Sequence, residues 1–99
     1  MAKVSWTQQA VASLRDIHGY IARDRPRTAE RTVESIVAKV RSLAGAPGRG
    51  QLRDAGHRMR VRVFTFGHFR IAYTVRPDDD GDEVLVLGVF HGLIFLPPA

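Results

Sequence analysis

The chain contains no cysteine, which excludes disulfides and thiolate metal ligands and fits a reducing compartment. Lysine is nearly as scarce: of 15 cationic residues only Lys3 and Lys39 are lysines, and the rest are arginines. An arginine bias can reflect base composition alone, but the guanidinium is also a planar donor fork suited to carboxylate or phosphate. No stretch approaches the ~18 consecutive apolar residues of a membrane span. The opening Met1-Ala2-Lys3-Val4-Ser5 runs into polar residues without the apolar segment of a secretory signal. The expectation is a cytoplasmic protein with no membrane association.

What is present is 99 residues, 44% of them hydrophobic, with a formal net charge of +5. That length accommodates one domain over residues 1–99 and too much apolar content for a disordered tail. A domain so small buries only roughly 60–65% of its unfolded surface, which leaves room for a partner to contribute stability.

Periodicity divides the chain into elements. Lys3 to Trp6 reads as a short strand, after which Thr7 caps a helix whose apolar residues Ala10, Leu14, Ile17 and Ile21 share one face. Pro26 suits the first turn of a second helix, because its missing N–H has no intrahelical partner there. That helix carries Ala29, Val33, Ile36, Val37, Val40 and Leu43 and is expected to stop at Gly45 with Pro47 beyond. Trp6 is expected at the strand–helix junction, Tyr20 closing the helical hairpin and Tyr73 in the core. Residues 45–57 have no apolar period and read as a long loop. Three further strand candidates follow, Arg60 to Phe66, Phe69 to Arg76 and Glu83 to His91. The resulting class is α+β: an N-terminal strand, a helical hairpin and a three-stranded antiparallel meander, in the order β-α-α-β-β-β.

Hairpin register decides where the arginines lie. A two-residue Gly67-His68 loop pairs Phe66 with Phe69 and sets Arg62 opposite Tyr73, on the apolar face. A three-residue loop, or an equivalent bulge, instead gathers Val61, Val63, Phe69, Ile71 and Tyr73 on one face and Arg60, Arg62, Arg70 and Arg76 on the other. Since burying unpaired guanidinium groups is costly, the odd loop is the expected solution. It predicts an open sheet face bearing arginines.

Charge along the chain sharpens that expectation. Residues 49–76 hold Arg49, Arg53, Arg58, Arg60, Arg62, Arg70 and Arg76 against the single anion Asp54, and the next turn holds Asp78, Asp79, Asp80, Asp82 and Glu83. An arginine-rich surface suits an acidic protein segment or a phosphate backbone. Alternation in a half-buried strand also places polar residues outward without any partner. The acidic turn lacks the spacing of a calcium loop, so no metal is expected. His91 is the one strand-end candidate for acid–base work or phosphate contact, set against an ordinary structural histidine. His18, His57 and His68 carry less, and no nucleophile triad or Gly-rich phosphate loop occurs; no cofactor is implied. The run Leu93-Ile94-Phe95-Leu96 is apolar where termini are normally polar. It reads either as a cover over the chain's own sheet edge or as a contact for a partner, with Leu93 and Phe95 the candidate residues.

Four stretches together resemble the RelE/ParE superfamily of type II toxin-antitoxin toxins. They are Val4-Ser5-Trp6-Thr7 with Leu14-Arg15-Asp16-Ile17 and Tyr20-Ile21; Ala29 through Leu43 ending in Ala46-Pro47-Gly48-Arg49-Gly50; Phe66-Gly67-His68-Phe69-Arg70-Ile71-Ala72-Tyr73; and Val84 to Val89 closing on Phe90-His91-Gly92. The helical hairpin and the His-Gly ending are most similar to the ParE branch. The resemblance implies a cytoplasmic toxin held in a hetero-oligomer by a cognate antitoxin with an acidic C-terminal segment, and a ParE-like action on DNA gyrase by binding. Its alternative is a RelE-like ribosome-dependent mRNA endonuclease, for which Arg60, Arg62 and Arg70 match the strand cations of that branch and His91 is the acid–base candidate. Gly92-Leu93-Ile94-Phe95 supplies neither the basic residue nor the tyrosine that the RelE branch carries after the last strand. A third reading is an inactive module that only binds its antitoxin. Antitoxin or target binding is then expected at Arg60, Arg62, Arg70, Arg76, Leu93 and Phe95.

Overall fold

A computed structural model describes residues 2–54, 60–78 and 81–91. The elements run β1 (Lys3–Trp6), α1 (Gln8–Ala22), α2 (Pro26–Leu43), a short 3-10 turn (Pro47–Arg49), β2 (Gln51–Asp54), β3 (Arg60–Phe66), β4 (Phe69–Asp78) and β5 (Gly81–His91). The α+β class and the helical hairpin stand as expected, and the supposed loop after α2 contributes one more strand, β2. All strands form one sheet in the order β1-β5-β4-β3-β2, with β1 parallel to β5 and every other pairing antiparallel.

Local chemistry accounts for the helices. The Thr7 hydroxyl accepts the Ala10 N–H at 3.0 Å and starts α1, while Pro26 opens α2. The end of α2 differs from expectation. Ala44 and Gly45 donate to carbonyls three residues back, so the helix tightens to a close, and Gly45 does not adopt a positive φ.

The apolar stripes converge on one face of the sheet. Ala10, Ile36, Val40 and Leu43 from the helices meet Ile71, Tyr73, Val84, Val86 and Val89 from β4 and β5, with Trp6, Leu14, Ile17, Phe64, Phe66 and Phe69 packed around them. Tyr20 does not close the hairpin; it is 73% exposed.

The β3–β4 register overturns the odd-loop expectation. Phe66 pairs with Phe69 and Arg62 with Tyr73, across a two-residue turn in which Gly67 alone has a positive φ, of 59°. A positive φ at the first central residue is the hairpin arrangement that matches strand twist, and glycine takes it without strain. Phe64 and Phe66 therefore face the helices, where the Lys39 ammonium sits 5.9 Å and 5.2 Å from their ring centres. By alternation Arg60 and Arg62 share their face, while Arg70 and Arg76 lie on the other. The irregularity lies one strand farther on. Ala72 pairs with Gly88 but Tyr73 with Val86, a bulge that inserts Leu87 into β5.

Burial grades the expected effects of truncation. Ile36→Ala, at a fully buried position, is expected to cost about 2–5 kcal/mol. Leu52→Ala, at a residue 47% exposed on the β2 edge, is expected to stay within about 0.5 kcal/mol. Equilibrium urea unfolding of both variants against the parent checks the contrast.

Candidate functional site

The arginines divide between internal work and the surface. Arg62, opposite Tyr73, reaches past the sheet margin to the chain leaving α2. There its Nη1 donates to the Gly50 carbonyl at 2.8 Å and to the Gly48 carbonyl at 3.3 Å. This pairing is why the even register is tolerated: the premise of an unpaired cation on the apolar side does not hold. Beside it, the fully buried Tyr73 hydroxyl donates to the Pro47 carbonyl at 2.7 Å and accepts the Gly50 N–H at 2.8 Å. Gly50 has no room for a side chain, because a Cβ there would lie 2.5 Å from the Tyr73 oxygen. Burial raises the Tyr73 pKa above its ordinary value, and the Gly50 N–H and the Arg62 charge partly oppose that rise.

On the opposite face Arg76 Nε donates to Glu83 Oε1, and Ser5 Oγ donates to Glu83 Oε2 at 2.7 Å. This polar cluster ties β4, β5 and β1 together across the sheet. Arg70 is half-buried on the same face, and Arg60 is exposed near β2. A single arginine-bearing face does not form. Leu93 and Phe95, with Arg58, His57, Asp79 and Asp80, lie outside the described residues.

His91 is not alone. It pairs across the sheet with Phe69, whose ring meets its imidazole edge-on at 5.4 Å between centres, and the His68 imidazole stacks on it at 6.4 Å. The β4–β5 register brings this pair together: it puts Phe69 opposite His91, and His68 precedes Phe69 at the turn. A histidine at the end of β5 and another at the β3–β4 turn are visible in the sequence, but their meeting depends on a register that spacing alone does not give. Each imidazole carries two ring nitrogens that can donate or accept a hydrogen bond. The cations of a phosphate-cleaving set are not gathered around them. Arg70 lies on the other face, and Arg62 sits opposite Tyr73, four residues along β4 from Phe69 and hence roughly 13 Å away.

Two recesses flank the histidines. One, of about 470 Å³, runs between α1 and the end of β5 and is lined by Asp16, Ile17, Tyr20, Ile21, Val89, Phe90 and His91, among others. The other, of about 270 Å³, lies between α2 and the β3–β4 turn and includes Arg31, Thr32 and His68. Neither is legible as a site from periodicity, since Tyr20 falls where the sequence leads one to expect a hairpin seam. Among the described residues no group of three or more His, Asp or Glu side chains is placed to hold a metal, and no described helix is long and apolar enough to cross a membrane.

Comparison with known proteins places this geometry. A family model described as the ParE toxin of the type II toxin-antitoxin system parDE matches residues 4–93. Among solved structures, the chromosomal ParDE system from P. aeruginosa superposes with a TM-score of 0.73 at 26% identity, over 92% of this chain and 96% of that one. The toxin-antitoxin complex RelBE2 from Mycobacterium tuberculosis gives 0.62 at 25% identity, over 91% and 96%. The YoeB/ParE toxin from Agrobacterium tumefaciens, at 19% identity with a TM-score of 0.52 over 90% and 97%, shares the fold. No curated protein matches the sequence.

The Tyr73 contacts predict a stability effect with a defined sign. Tyr73→Phe strands the Gly50 N–H and the Pro47 carbonyl and is expected to cost about 1–3 kcal/mol; Gly50→Ala is expected to cost a similar ~1–3 kcal/mol through overpacking. Because the folded pKa is raised, the neutral phenol's contribution is complete below the unfolded value of about 10 and is lost as pH rises through the folded value. Thermal unfolding followed across alkaline pH should show this fall in the parent and a weaker one in Tyr73→Phe.

Proposed function

The chain belongs to the ParE toxin family of type II toxin-antitoxin systems, and from that membership we propose that it inhibits DNA gyrase by binding and is neutralised by a cognate antitoxin. It is a ParE-type toxin of a toxin-antitoxin system; the target and the mode of neutralisation are the proposal. The observation that carries the binding mode is the dispersal of its chemistry. Arg62 is engaged with the Gly48 and Gly50 carbonyls and Arg76 with Glu83, and Arg70 lies across the sheet from His91. Cleaving RNA through the ribose 2′-hydroxyl needs phosphate charge stabilisation and proton transfer at one centre. A toxin that acts by binding needs only a surface.

The proposed antitoxin contributes an acidic C-terminal segment, attracted by the net charge of +5 and the exposed cations. The two form a cytoplasmic hetero-oligomer that adds buried surface to a small core. Structures of similar proteins solved as ParDE and RelBE2 systems support a partner of this kind.

One observation favours a second reading. The His68 and His91 imidazoles stack on one another, and this pairing of two side chains suited to proton transfer supports a RelE-like, ribosome-dependent mRNA endonuclease as the second reading.

Purified gyrase supercoiling a relaxed plasmid separates these readings. The expected result is loss of supercoiling when the toxin is in molar excess over gyrase, with His91→Ala still inhibitory; undiminished supercoiling at excess toxin overturns the proposal. Cut mRNA on translating ribosomes, lost in His91→Ala, would establish the endonuclease instead. Unimpaired growth on expression without an antitoxin would point to a module that only binds its partner.

A further inference from the structure

Positive charge collects along one margin of the fold, where the end of α2, the 3-10 turn and β3 meet. Lys39 and Arg41 come from α2, Arg49 from the turn, and Arg60 and Arg62 from β3. Arg41, Arg49 and Arg60 are exposed, and Lys39 and Arg62 partly so. None of the five forms an ion pair among the described residues. The groups that hold two of them are neutral: Lys39 lies against the Phe64 and Phe66 rings, and Arg62 donates to the Gly48 and Gly50 carbonyls. Such contacts fix a cation in place without cancelling its charge, unlike the Glu83 carboxylate that receives Arg76. Between Lys39 and Arg62 the sequence has one acid, Asp54, which stands opposite Arg60 in the β2–β3 register and offsets one charge of the five. The helical hairpin differs, because its Arg23, Arg25, Arg27 and Arg31 are interleaved with Asp24, Glu30 and Glu34.

We infer that this margin binds the phosphate backbone of duplex DNA without reading its sequence. From Arg60 to Phe66, where the Lys39 ammonium sits, β3 advances roughly 20 Å. That length faces several successive phosphates, since a duplex carries one charge per ~1.7 Å of its axis. Four of the five cations are guanidinium groups, whose paired donors match phosphate oxygens. A protein partner fits this surface less well. Protein interfaces centre on a patch poor in charge and rich in aromatic side chains, and Leu52 of β2 is the one large apolar residue exposed on this side among the described residues. Single strands fit poorly too, because unpaired bases stack on open aromatic rings and Phe64 and Phe66 already carry Lys39. A polar, strongly cationic surface is what duplex DNA meets in the proteins that hold it.

Fluorescence anisotropy of a labelled duplex of arbitrary sequence, titrated with the full chain over a range of salt concentrations, tests the inference. Gyrase is absent from this measurement, so failure here leaves gyrase inhibition standing, and the reverse holds. The logarithm of the parent's association constant is expected to fall against that of salt with a slope of about −4. Arg41→Gln, Arg49→Gln and Arg60→Gln combined should make the slope shallower by about 2–3 and weaken binding at least about tenfold at ~0.1 M salt. Arg23→Gln, Arg25→Gln and Arg27→Gln combined remove the same charge from the helical hairpin and should stay within about threefold of the parent, since distant charges are screened at that ionic strength. All six side chains are exposed, so neither set empties the core. The parent's slope and its preference for the duplex are read without any variant. A hairpin variant that loses as much affinity as the margin variant overturns the inference. So does a parent that does not bind the duplex, or that binds single-stranded RNA or poly-glutamate more tightly.

Discussion

A phenol buried to zero exposure must find partners for its hydroxyl, and Tyr73 finds both of them in one irregular segment, at Pro47 and Gly50. That pair of hydrogen bonds fixes where the chain leaving α2 crosses the sheet. Arg62 fastens the same segment from the neighbouring strand through Gly48 and Gly50. With the segment held, β2 is delivered to the outer edge of β3, and the helical layer is anchored at the end remote from its hairpin. A small domain cannot rely on area alone, and here a few well-formed polar contacts define the geometry that the apolar stripes then fill.

The elements governed by near neighbours were readable. Thr7 as a cap, Pro26 as a helix start, the steps of α1 and α2 and the strands that follow all depend on spacing within a few residues. What depends on distant groups was not. The even hairpin looked expensive because Arg62 had no visible partner; the carbonyls that receive it belong to Gly48 and Gly50, in a stretch with no apolar period. The strand β2 escaped for a related reason, since Gln51–Asp54 holds Leu52 as its only apolar residue and owes its conformation to pairing with β3. Tyr20 satisfied the idea of a hairpin seam, yet it points outward to a recess that the end of β5 defines.

The candidate site was accordingly half visible. The residue types are visible in the sequence, but their grouping follows the strand pairings: the β3–β4 register divides the arginines between two faces, and the β4–β5 register sets His91 opposite Phe69 and so beside His68. The net charge of +5 similarly summarises unlike roles: some guanidinium groups tie backbone or carboxylate within the fold, and others remain at the surface. Membership of the toxin family rests on a match over residues 4–93 and on the shared topology.

The inserted residue at Leu87 separates two phases of one strand. Val84 and Val86 enter the core at the ordinary interval of two, but the next core residue is Val89, three positions on. Everything from Gly88 onward is consequently read in a shifted frame, including the arrival of His91 opposite Phe69. Composition therefore does not determine what stands at the mouth of the larger recess; the count of residues before it does. A chain of equal hydrophobicity that lacked this one residue would keep its helices and its first four strands, yet present a different set of side chains wherever a partner meets the end of β5.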